Sequence, residues 1–181
     1  MAVPYDSDFA QTRQNLQLSR ADQQTIRTFQ KNVNSYVKLR RRVKAKLPKL
    51  SKDSTPEQIE KYRSSLEDAL RAARTNARPG DIFTLQAADY IRRVLKNEFK
   101  GQEKKEIREI ALAPEGAPVR VPLKINYTYP DKNEFTEMPA SVLLVLPQLP
   151  REVQYRFVRR SLVLLDRESN IIVDFITDAL P

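Results

Sequence analysis

The chain has 181 residues, 40% of them hydrophobic, enough for one domain that buries about 70% of its unfolded surface. It contains no Cys and no His, which excludes disulfides, thiolate catalysis, a Cys/His zinc site and any His-based triad or pH switch. With 3 Gly against 12 Pro and a net charge of +9, it suits long helices and stiff connections rather than many tight hairpins.

Residues 1–18 show neither helical nor alternating periodicity and read as an extended arm. Met1-Ala2-Val3 followed by Pro-Tyr-Asp-Ser-Asp reads as a start placed on a processed chain. Ser19 is a candidate N-cap, with Asp22 in the first turn where an acid suits the helix dipole. Ile26, Phe29, Val33, Val37 and Leu47 then share one stripe until Pro48, a helix of about 28 residues and roughly 42 Å. Arg40 and Lys44 fall on the side of Val33 and Val37. Either the apolar stripe ends there, or Glu57, Glu60 or Glu67 of the next helix pairs with them.

Thr55-Pro56-Glu57-Gln58 carries an N-cap, Pro at N1 and the Gln of a capping box. Ile59, Tyr62, Leu66, Leu70, Ala73 and Ala77 continue the second helix to Pro79-Gly80. The short link before it predicts an antiparallel helical hairpin. Thr84 caps a third helix with Ala88, Ile91, Val94, Leu95 and Phe99 inward, and Lys104–Leu112 reads as a short charged helix.

From Ala113 the helical period gives way to a Pro-rich region. Val119, Val121, Leu123, Ile125, Tyr127 and Tyr129 alternate as a half-buried strand, placed at an edge by Pro122. Pro139–Leu146 fits a short strand or one to two helical turns, with Ala140-Ser141 favouring helix. Strands follow at 153–158, 162–166 and 171–176, with Asn170 suited to a left-handed turn. The last two strands are apolar on both faces and are expected to be central and covered twice. The fold class is therefore α+β: an arm over 1–18 and one domain over 19–181. Its helical part, 19–112, is a hairpin plus one or two shorter helices, packed with a sheet of about four antiparallel strands in 113–181.

Residues 1–54 hold 12 basic and 4 acidic residues, whereas 55–112 hold 12 and 10 and 113–181 hold 8 and 9. The excess is the acid-free run Lys38, Arg40, Arg41, Arg42, Lys44, Lys46, Lys49 and Lys52. Lys38, Arg41, Arg42, Lys46, Lys49 and Lys52 are the candidate contacts for an acidic protein or anionic polymer. The competing reading is a solvated helix end whose cations favour the dipole. Tyr127 and Tyr129 with Tyr155 and Phe157 could line an apolar groove, although at strand spacing such residues are core. Asp166 and Asp174 could be imagined as a catalytic carboxylate pair, but no base, phosphate loop or nucleophile elbow accompanies them.

The segments Leu149-Pro150, Tyr155-Arg156-Phe157-Val158, Leu162-Val163-Leu164-Leu165-Asp166 and Ile171-Ile172-Val173-Asp174 form a recurrent pattern. It resembles the C-terminal segment of periplasmic bacterial proteins of the nickel/cobalt-homeostasis type. The wider chain is similar to exported proteins of soil bacteria. That family carries a Gly/Asn turn where this chain has Arg159-Arg160-Ser161, and it is His-rich where this chain has none. The resemblance implies a periplasmic or secreted protein with a small terminal sheet, and it carries over no metal.

The expectation is a non-enzymatic binding or interaction protein of the bacterial envelope, without cofactor or membrane span, able to self-associate through its long first helix. The alternatives are a binder of anionic polymer or nucleic acid through the basic helix end, and a carboxylate hydrolase.

Overall fold

The first helix, α1 (Arg20–Lys44), starts where the Asp22 amide donates to Ser19 Oγ at 3.0 Å. It ends three residues before Leu47. There the amides of Lys46 and Leu47 bond back to Val43 and Lys44 at 3.1 Å, and Pro48 disfavours a further turn. The computed structural model describes residues 18–100, 123–129 and 138–181. The arm up to residue 17, the helix expected over Lys104–Leu112 and the start of the strand expected from Val119 lie outside the described residues.

Helix α2 (Pro56–Ala73) opens on the expected capping box. The Gln58 amide donates to Thr55 Oγ1 at 3.3 Å, and the Thr55 amide donates to Gln58 Oε1 at 2.9 Å. The helix stops at Ala73 instead of continuing toward Pro79. Arg74 leaves helical geometry at φ −126°, and its guanidinium donates to Asn126 Oδ1 at 2.6 Å and the Val173 carbonyl at 2.9 Å. These tertiary contacts outweigh the helical preference of Ala77. Helix α3 (Leu85–Glu98) is capped by Thr84, and a short α4 (Ala140–Val145) resolves the ambiguous 139–146 stretch as helix.

Lys44 lies over the Tyr62 ring while Arg74 lies over Tyr36, so α1 and α2 run antiparallel. Asp22 pairs with Arg93 and Phe29 stacks on Phe83 at 5.4 Å, so α3 is also antiparallel to α1. Strands β1 (Val153–Val158), β2 (Ser161–Asp166) and β3 (Ile172–Ile176) form an antiparallel sheet in the order β1-β2-β3. The turn between β1 and β2 places Arg159 at φ 55°, and the next turn places Asn170 at φ 53° as expected.

Two expectations need correction. The sheet has three strands, not four. The described end of the Val119–Tyr129 alternation contributes only a bridge between Thr128 and Ile171, because Asn126 at φ 63° breaks the extended path. Consequently β2 is central, whereas β3 borders this bridge at the edge.

A register shift pairs Leu164 with Asp174 but Leu165 with Ile172, leaving Val173 as an extra residue. The bulge turns both Val173 and Asp174 toward the helices: Val173 joins the helix-side core, and Asp174 reaches the loop before α3. That core combines Phe29, Val33, Tyr36 and Val37 of α1 with α3, α4 and Tyr155, Phe157, Leu162 and Leu164 of the sheet. Burying Phe29 alone contributes about 1.5–3 kcal/mol. On the opposite face, Val163, Leu165 and Ile172 pack with Tyr129, as the two-faced apolar pattern required. Tyr129 and the Tyr155/Phe157 pair thus lie on opposite faces of the sheet, and no shared aromatic groove forms.

Candidate functional site

Helix α1 carries two kinds of cation. On its inner face Arg40 is 6% exposed. Its Nε donates to Asp166 Oδ2 at 2.5 Å, and its Nη2 donates to Glu168 Oε2 at 2.5 Å. Asp166 is fully buried and also accepts from Tyr36 Oη at 2.8 Å and from the Glu168 and Ser169 amides at 3.1 and 3.0 Å. Lys44 Nζ reaches Glu168 at 2.7 Å, and Arg41 Nη2 reaches Glu152 Oε1 at 2.6 Å.

The partners expected on α2 therefore do not take Arg40 and Lys44. They are held by the end of β2 and the turn after it, which fold against α1 from more than 120 residues away. Burial alone would lower the pKa of Arg40, but the charge and hydrogen bond of Asp166, with Glu168, outweigh it and raise the value. Burial, reinforced by Asp166, pushes the Tyr36 hydroxyl well above its ordinary range. This network pins the helix to the sheet.

The outer face differs. At about 100° per residue, Arg20, Arg27, Lys31, Lys38 and Arg42 fall within an arc of roughly 60° over about 33 Å of helix. All five are exposed, and none forms an ion pair among the described residues. The residues between and beside them on that face are Gln23, Gln24, Asn34, Ser35 and Arg41, so the face contains no acid and no apolar side chain. The sole acid of α1, Asp22, points away toward Arg93. Arg27 with Lys31, and Lys38 with Arg42, are like-charged i,i+4 neighbours that each cost about 0.2–0.5 kcal/mol of helix stability. Arg42, in the last turn, regains about 0.3–1 kcal/mol from the helix dipole, but Arg27 and Lys31 have no such compensation and Arg20 sits at the helix start, where the dipole disfavours a cation, so the stripe argues for a use outside the fold.

A cleft of about 260 Å³ flanks this stripe, lined by Asn32, Ser35, Tyr36, Leu39, Arg74 and Asp81 among others. Arg74 forms no ion pair among the described residues, and burial pushes its pKa down against the pull of Tyr36, Asp174, Asp81 and Asp166. Its guanidinium sits 5.0 Å from the Tyr36 ring centroid, so one ring face is covered. Asp81 gives the cleft wall an acid.

Comparison of the chain with family models, curated proteins and solved structures finds no match.

Of the six cations expected to form the site, Lys38 and Arg42 lie on the outward stripe, and Arg41 sits beside it while tied to Glu152. Lys46, Lys49 and Lys52 lie beyond the helix end in the exposed connection to α2. Arg20, Arg27 and Lys31 were missed because they do not form a contiguous run. Their signal was the seven- and four-residue spacing with Lys38, opposite the apolar stripe.

Asp166 and Asp174 serve separate structural sets. Asp174 is fully buried and accepts from the amides of Gly80, Ile82, Phe83 and Phe175 at 2.8–3.0 Å. Gly80 reaches it at φ 91°, a conformation that favours glycine. With four donors each, these carboxylates hold backbone and helix in place. Among the described residues no three carboxylates converge as a metal site would need, and no helix is long and apolar enough to cross a membrane.

Proposed function

We propose that this is a non-enzymatic binding protein whose working surface is the outward face of α1, which engages an anionic partner. The observation that carries this reading is the stripe Arg20, Arg27, Lys31, Lys38 and Arg42, exposed and acid-free on a helix whose inner cations are already neutralised. The inner network supports it by fixing the stripe on a rigid element, which lets several charges act together. The resemblance of residues 149–174 to periplasmic proteins suggests the envelope as the setting, which cell fractionation of the full-length gene product tests.

The test of the surface is elution from a phosphate-bearing cation exchanger. A variant with all five stripe residues changed to Gln is compared with one in which Lys61, Lys96, Lys100, Lys124 and Arg151 are changed to Gln. Both lose the same formal charge. The stripe variant elutes at markedly lower salt, and equal elution of the two would refute the assignment.

A further inference from the structure

We infer that the partner of this face is a linear polyanion, a phosphodiester or sulfated polymer, bound along α1 without sequence recognition. The inference rests on the assignment of the outward face as the working surface.

Three features select a polymer over a folded acidic protein or a membrane surface. First, the cations are strung in one line, spaced by seven, four, seven and four residues, so the charge track runs about 33 Å along the helix axis. Such a line matches a ligand whose charges repeat along its own length. Second, the face offers Gln23, Gln24, Asn34 and Ser35 between its cations and no aromatic or aliphatic side chain. A protein–protein interface draws its affinity from buried aromatic or aliphatic anchors with charges at the rim, and those anchors are missing. Peripheral membrane helices likewise set Trp, Phe or Leu beside their basic residues, and this face has none. Charge alone must supply affinity, and counterion release from a polyanion does so efficiently. Third, Lys46, Lys49 and Lys52 add exposed cations just beyond the helix end, whereas the neighbouring cleft sets Asp81 opposite Arg74 and offers an anion no comparable excess of positive charge. The polymer therefore follows the stripe and contacts at least the five aligned cations.

The test is fluorescence anisotropy with labelled oligothymidylate of increasing length, repeated with heparin and with phosphatidylserine vesicles at several salt concentrations. Affinity is expected to rise with oligomer length until the ligand spans the helix. Log K for the single strand should fall against log salt with a slope of about −3.5, as five neutralised phosphates require. Each stripe residue changed to Gln should lower that slope by about 0.7. Tighter binding of oligothymidylate than of heparin assigns the phosphodiester source, and the reverse assigns the sulfated one. Vesicle binding without binding of either polymer overturns the polymer class but leaves the outward-face reading standing. Polymer binding unchanged by the five Gln substitutions overturns both.

Discussion

Arg40 Nε lies 2.5 Å from Asp166 Oδ2, joining the C-terminal part of a basic helix to the central strand across 126 residues of sequence. Both side chains are almost completely buried, at 7% and 0% exposure, so each charge depends on the other for compensation. Arg40→Met leaves Asp166 with Tyr36 and two amides but no cation. It should cost about 3–5 kcal/mol in urea unfolding. Adding Asp166→Asn should recover part of that loss, with a coupling of at least about 1 kcal/mol in the double-mutant cycle. Strictly additive losses would show that the pair does not act as a unit.

Asp174 gathers the loop before α3 onto the β3 bulge through the three amides of Gly80, Ile82 and Phe83. Asp174→Ala leaves the buried donors of Ile82 and Phe83 unpaired, each costing about 1–3 kcal/mol, and the half-buried Gly80 amide adds less. The expected outcome is a loss of at least about 3 kcal/mol and faster hydrogen exchange at Ile82 and Phe83. A variant of near wild-type stability would contradict the role given to this carboxylate.

Stability should fall at both ends of the pH scale for identifiable reasons. The hydrogen bond from Arg41 holds the Glu152 carboxyl below its usual range. Its contribution is present above the unfolded carboxyl value of about 4.3 and is lost as pH falls through the lower folded value. Burial raises the hydroxyls of Tyr36 and Tyr155. The unfolded chain then releases their protons above pH of about 10 while the folded chain retains them, so stability declines from there upward. Thermal melts followed by circular dichroism check both limbs. Glu152→Gln should flatten only the acid one, and an unchanged acid limb would contradict the Glu152 assignment.

Arg159 adopts φ 55° in the β1–β2 turn, a conformation that costs most L-residues about 1–2 kcal/mol. Arg159→Asn should raise stability by a few tenths to about 1 kcal/mol, because Asn tolerates this region. A lower Tm for Arg159→Asn would show that the arginine compensates by a contact of its own.

Local chemistry was legible in the sequence wherever a few adjacent residues decide the outcome. Ser19, Thr55 and Thr84 cap the helices they were expected to cap, and the three C-terminal strands fall within one residue of their expected bounds. The unbroken apolar run from Leu162 to Leu165 likewise announced a strand covered on both faces. What failed was long-range. Arg40 was visibly out of place on an apolar stripe, but nothing local pointed to Asp166, since pairing across 126 residues is set by the fold. Arg74 ends α2 early through contacts with Asn126 and Val173, and propensity carries no trace of them. The proposed binding face was half legible: the contiguous run spans Lys38 to Lys52, whereas the stripe reaches back to Arg20 by helical spacing. The run itself mixes inward cations, which are tied by ion pairs to the sheet side, with outward ones, which form no ion pair among the described residues.

A paired measurement separates the outward cations from the inward ones. Lys38→Gln/Arg42→Gln is compared with wild type for urea stability and for affinity toward oligothymidylate at low salt. The division predicts stability within about 0.5 kcal/mol of wild type, since relieved like-charge repulsion offsets the lost dipole contribution of Arg42, together with an affinity loss of about tenfold or more. A variant that unfolds more readily while binding as tightly as wild type would show that the outward cations serve the fold and not a partner.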